Sequence, residues 1–154
     1  MKRLFCLVLI LVLLISVISM FSGCTSLETA PILRASTLIY ESYSSMFYGC
    51  SKLNKVSYDN VNQLNTIGNY AFYNCDGFTN IKIPDDVTTI GAYAFAYCNK
   101  LSSVIIGNSL TTIGGYAFAY CSNLTNVIFG NSVIAIGNNA FRECRNLTDI
   151  TIGN

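Results

Sequence analysis

The second half of the chain repeats itself every 23 residues. Phe72, Phe95, Phe118 and Phe141 are spaced by that number, and so are Cys75, Cys98, Cys121 and Cys144. Ile67, Ile90, Ile113 and Ile136 follow the same period, each with a glycine directly after it. An earlier and looser copy places Phe47 and Cys50 25 residues before Phe72 and Cys75. The shared sentence is T-x-I-G-x-x-A-F-x-x-C-x-x-L-T-x-V-x-I-x-x-x-V. A single copy of this length cannot bury its own apolar face, so the copies must stack into a solenoid. At 154 residues the length prior is one domain.

Each part of the unit has a physical reading. "LSSVII" (101–106) and "LTNVIF" (124–129) alternate at their ends as short strands do, with Leu101, Val104 and Ile106 inward. Gly107 and Pro84 follow the strands as breakers, and Ile90-Gly91 reads as a further turn in which glycine supplies backbone freedom. "AYAFAYC" (92–98) reads as a short helical segment with Ala94 and Phe95 inward. On such a segment Tyr93 and Tyr97 share a face, as do Tyr116 and Tyr120. Those tyrosines form either a packed aromatic column or a binding surface.

Cysteines 50, 75, 98, 121 and 144 fall at one place in successive coils, about 4.8 Å apart. Stacked side chains run parallel, and five is odd, which favours packed thiols over disulfides. There is no histidine and no C-x-x-C pair, so neither a metal centre nor an activated nucleophile is expected. The acids are scattered, and the one adjacent pair, Asp85-Asp86, sits in a turn. No glycine loop suited to phosphate appears. No cofactor is expected, and an enzyme is improbable. Nine basic residues face eight acidic ones with no basic run, which leaves nucleic acid without its electrostatic footprint.

The pattern A-F-x-x-C, with I-G before it and L-T-x-V-x-I after it, resembles the BspA-type leucine-rich repeats of bacterial surface proteins, and the period lies in the leucine-rich range. The resemblance covers residues 43–154. It implies an α/β repeat solenoid of leucine-rich-repeat type, with short parallel β-strands on a concave face and short helical segments on a convex face. It also implies binding of host matrix proteins or other cells.

The front of the chain is different. Lys2 and Arg3 precede an apolar run over residues 4–21 that ends in Phe21-Ser22-Gly23-Cys24. This reads as an export signal. Its end resembles the lipobox of bacterial lipoproteins, which implies a cut before Cys24 and lipid attachment to it. Ordinary secretion and an uncleaved anchor are the other readings. The expected organisation is a signal peptide at 1–23, a lipidated N-terminus and tether at 24–39, and a solenoid of about five coils at 40–154.

The outward strand positions form lanes where a ligand could lie: Asn54, Thr79, Ser102, Thr125 and Thr148; Lys55, Asn80, Ser103, Asn126 and Asp149; Ser57, Lys82, Ile105, Ile128 and Thr151. Ile105 and Ile128 interrupt the polar pattern side by side. They are either ordinary strand formers or an apolar contact bordered by Asn80, Lys82, Ser103 and Asn126. The chain stops just after "DITIG", so neighbouring repeats or a capping chain are expected against its C-terminal end. The leading expectation is a lipid-anchored surface protein that binds a protein partner, such as a host matrix protein; the alternative is a spacer module with no ligand.

Overall fold

The computed structural model describes residues 19–30, 44–56 and 65–152. Within them the chain winds as a solenoid whose coils hydrogen-bond to one another through parallel strands. Four short strands, β1 (Thr66–Ile67), β3 (Thr89–Ile90), β5 (Thr112–Ile113) and β7 (Ala135–Ile136), make one sheet in that order. Four longer strands, β2 (Asn80–Ile83), β4 (Ser103–Ile106), β6 (Asn126–Phe129) and β8 (Asp149–Ile152), make the other. The register keeps the repeat: Ile90 pairs Ile113, and Ile105 pairs Ile128. The first sheet corrects the reading of Ile90-Gly91 as a plain turn.

The interior is columns of like side chains. Leu101, Val104, Ile106, Ala94 and Phe95 are all buried, as the alternation requires. The phenylalanine rings stack nearly parallel, with centroids 5.1 Å apart for Phe72 and Phe95 and 5.2 Å apart for Phe95 and Phe118. In the last coil Ile134, Ile136, Ile150 and Ile152 are exposed.

The return segment is not helical. Residues 92–98 form successive turns, and no helix occurs among the described residues. Tyr93 and Tyr97 have φ of 56° and 62°, in the left-handed region, and Tyr70, Tyr116 and Tyr120 share it. A left-handed residue at every fourth position interrupts any α-helix. The backbone finds its partners elsewhere. The N–H groups of Tyr93, Phe95 and Tyr97 donate to the carbonyls of Gly115, Ala117 and Ala119 in the next coil, at 3.1, 2.7 and 2.9 Å. Those of Ala94 and Ala96 close turns on Gly91 and Tyr93. The segment is a ladder between coils, and contact between neighbours overrides the helical propensity of an alanine-rich stretch.

The glycines after the isoleucines also serve a different end. Gly91 and Gly114 are outside the positive-φ set. A Cβ on Gly114 would lie 2.6 Å from the backbone nitrogen of Ala92, and one on Gly91 2.7 Å from that of Asn69. They permit close approach of one coil to the next.

The residues expected to end the signal peptide and begin the tether also pack on the solenoid. Residues 19–30 form a further coil ahead of the one at 44–56. Phe21 is buried and stacks on Phe47 at 5.4 Å, Ala30 is buried, and Thr29 pairs in parallel with Lys55. Counted by their phenylalanines, the described residues hold six coils: five from Phe47 to Phe141, and one more at Phe21 ahead of them. Phe21, expected in the signal peptide, and Ala30, expected in a free tether, each have a neighbouring coil to pack on. The expected signal residues 1–18, tether residues 31–39 and the two-residue insertion near 58–64 lie outside the described residues.

Candidate functional site

Strand alternation decides which side chains reach solvent. In β4 the pattern is half-buried Ser103, buried Val104, exposed Ile105 and buried Ile106. β2 and β6 follow the same alternation. Register then brings the predicted residues together. Asn80 lies opposite Ser103, which lies opposite Asn126; Lys82 lies opposite Ile105, which lies opposite Ile128. All six occupy one continuous patch, two residues wide and three strands long. Ser57, predicted for the third lane, lies outside the described residues.

The patch combines apolar and polar chemistry. Ile105 is 43% exposed, and Ile128, half-buried, stands beside it. The Oδ1 of Asn126 is buried and accepts no hydrogen bond. A buried acceptor left this way costs about 1–3 kcal/mol. Alongside, the polar lane is tied to itself: Ser102 Oγ donates to the Thr79 carbonyl at 2.9 Å and lies 3.2 Å from Asn80 Oδ1. Thr125 Oγ1 donates to the Ser102 carbonyl at 3.0 Å. These bonds fix the floor beside which Lys82 and the isoleucines project.

The cysteine column points to structure. Cys98, Cys121 and Cys144 each donate their thiol to the carbonyl of the phenylalanine one coil back, Phe72, Phe95 and Phe118, at 3.2, 3.2 and 3.0 Å. Cys75 does the same to Phe47 at 3.1 Å. Burial pushes the Cys98 thiol up to about 12 and raises that of Cys75 as well. Thiols held protonated at neutral pH are poor nucleophiles and poor ligands. Sequence reasoning placed this column correctly but missed its acceptor, which depends on the turn geometry of the return segment.

The acids have structural partners. Asp85 Oδ1 accepts the Asn108 N–H at 2.9 Å, and Asp76 Oδ1 accepts the Asn99 N–H at 2.7 Å, each one coil ahead. Among the described residues no cluster of three His, Cys, Asp or Glu could hold a metal ion.

On the return side the tyrosines do form columns. Tyr70, Tyr93 and Tyr116 stack at 4.9 Å with planes 2° apart, and Tyr97 stacks on Tyr120 at 4.6 Å. Their ring faces are taken up by one another, which agrees with the packing alternative.

Comparison with known proteins gives the same architecture. The model of the BspA type leucine rich repeat region matches in six copies over residues 17–66 and 41–154. The crystal structure of a T. pallidum leucine rich repeat protein is similar, with a TM-score of 0.66 and 29% identity over 80% of this chain and 67% of that one. A leucine rich cell surface protein from Faecalibacterium prausnitzii is similar with a TM-score of 0.51 and 30% identity, over 71% of this chain and 35% of that one. No curated protein matches the sequence.

Proposed function

The chain belongs to the BspA-type leucine-rich repeat family, and from that premise we propose that it is a bacterial cell-surface protein whose solenoid binds a protein partner across the β2–β4–β6 face. The observation that carries this reading is the patch itself: two adjacent isoleucines reaching solvent, with a lysine beside them and a polar row of Asn80, Ser103 and Asn126 along their edge. An aliphatic centre with a polar border suits a protein surface better than a small charged ligand. The solved relative from Faecalibacterium is described as a cell surface protein, which supports the location. Adhesion to host matrix proteins or to other cells is the biological form this takes. No catalytic role is assigned: the thiols from Cys50 to Cys121 are buried, and Asp76 and Asp85 brace neighbouring coils.

Export through the basic and apolar N-terminal segment belongs to the same proposal, and further repeats or a capping chain cover the exposed isoleucines of the last coil. Lipid attachment at Cys24, which the lipobox pattern implies, competes with a second role for that residue, taken up below.

The test is binding to a panel of purified matrix proteins, comparing the native chain with Ile105→Asp/Ile128→Asp and with Asn126→Ala. The expected result is binding lost in the double variant at an unchanged melting temperature. Equal binding by native and double-variant chains removes the patch. Binding to none of the panel favours the spacer reading.

A further inference from the structure

We propose that Cys24 is a further rung of the cysteine column and keeps its thiol in the folded protein, with residues 19–30 serving as a coil of the solenoid. The proposal concerns this coil and does not depend on the ligand reading.

The sequence of this coil is a copy. Residues 19–24 read S-M-F-S-G-C and residues 45–50 read S-M-F-Y-G-C, five of six identical. The backbone copies as well. Ser19 and Ser45 have φ of 61° and 54°, and Gly23 and Gly49 have 72° and 70°. The Cys24 N–H closes a turn on the Phe21 carbonyl and the Leu27 N–H closes one on Cys24, both at 3.0 Å. Cys50 and Leu53 repeat those turns at 3.0 and 2.9 Å.

The coil is also joined to its neighbour by several of the contacts the later coils use. The N–H groups of Ser19, Phe21 and Gly23 donate to the carbonyls of Ser44, Met46 and Tyr48 at 3.2, 3.0 and 2.7 Å. This is the ladder that joins Tyr93, Phe95 and Tyr97 to the following coil. The Phe21 carbonyl accepts the Cys50 thiol at 3.0 Å. On the far side Ala30 N–H donates to Lys55 and Asn54 N–H to Glu28, both at 2.9 Å.

Maturation of the lipobox kind cuts the bond between Gly23 and Cys24, which frees the cysteine amine. That cut removes Phe21, which covers Phe47, and removes the acceptor of the Cys50 thiol. It also removes all three ladder donors of the coil. The seated coil and the processed lipoprotein therefore exclude each other, because both use Cys24 and only one keeps residues 19–23. The contacts favour the coil.

The experiment expresses the full chain in a bacterial host that processes lipoproteins, fed an alkyne fatty acid, beside a known lipoprotein as positive control. The expected result is no label on this chain, and an N-terminal peptide retaining Ser19–Cys24 at the mass of an unmodified cysteine. Label that disappears in Cys24→Ser overturns the proposal. A second measurement addresses the coil directly: Phe21→Ala in the full chain should lower the urea midpoint by roughly 1 M or more, as loss of a buried ring does. An unchanged midpoint means that the coil is not seated, and overturns the proposal as well.

Discussion

The thiol of Cys98 donates to the carbonyl of Phe72, 3.2 Å away and one coil earlier. The bond explains why this position repeats as cysteine when many small apolar residues would fill the space. The carbonyls of Phe47, Phe95 and Phe118 each accept one turn N–H, from Cys50, Cys98 and Cys121, and their second lone pair faces a buried interior. A long, weakly polar S–H reaches it without bringing a hydroxyl into the core.

Cys98→Val, which keeps volume but removes the donor, is expected to destabilise the chain by about 1–3 kcal/mol, the cost of a buried carbonyl left short of a partner. Cys98→Ser should recover part of that loss. Urea denaturation of the purified solenoid measures both, and a Val variant as stable as the native chain would dismiss the bond.

Stability should fall as pH rises above about 8.5. An unfolded cysteine titrates near that value, whereas burial holds native Cys98 up to about 12. Between the two the native state binds more protons than the unfolded one, so its advantage shrinks with each step in pH. Denaturation midpoints at pH 7.5 and 10 test the sign, and Cys98→Ala should make the dependence shallower.

Two neighbouring glycines should respond differently to alanine. Gly114→Ala drives a Cβ to 2.6 Å from the Ala92 nitrogen, where only backbone can give way. Its cost is expected to be about 1–3 kcal/mol or more. Gly115→Ala meets only the Asn138 carbonyl at 3.3 Å, and should change the melting temperature far less. Equal effects would mean that coil spacing is softer than it looks.

Tyr97→Gly should cost only the buried area of a half-buried ring, because its other two effects nearly cancel. It releases a bulky residue from φ 62°, worth about 1–2 kcal/mol, and gives up stacking on Tyr120, worth about 0.5–1.5 kcal/mol. Phe95→Ala, by contrast, empties a fully buried place between two rings and should cost about 3–5 kcal/mol. Thermal melts of the two variants side by side decide whether the outer aromatic column or the inner one holds the coils together.

Much of this was legible beforehand, and the exceptions have physical causes. Phe95, Leu101 and Val104 declare themselves by alternation and period, and register alone carries Ile105 to Ile128. The return segment misled because "AYAFAYC" has good local helix formers, while its hydrogen bonds go to another coil that local propensity does not see. The short sheet was hidden because Thr89–Ile90 is too brief to show alternation. The coil at residues 19–30 was hidden by its apolar neighbours: the run before Phe21 dominates the reading, although laying Ser19–Cys24 over Ser45–Cys50 exposes it.

The 23-residue register has a consequence for how such a molecule can change. Phe72, Phe95 and Phe118 meet their neighbours at nearly the same distance and angle, and Gly91 and Gly114 clear the same backbone. Excising residues 92–114 would join one copy to another without creating a junction of a new kind, and duplicating them would do the same. The reach of the β2–β4–β6 face is thus set by how many units are strung together, so recombination can lengthen or shorten it while the interior needs no new solution.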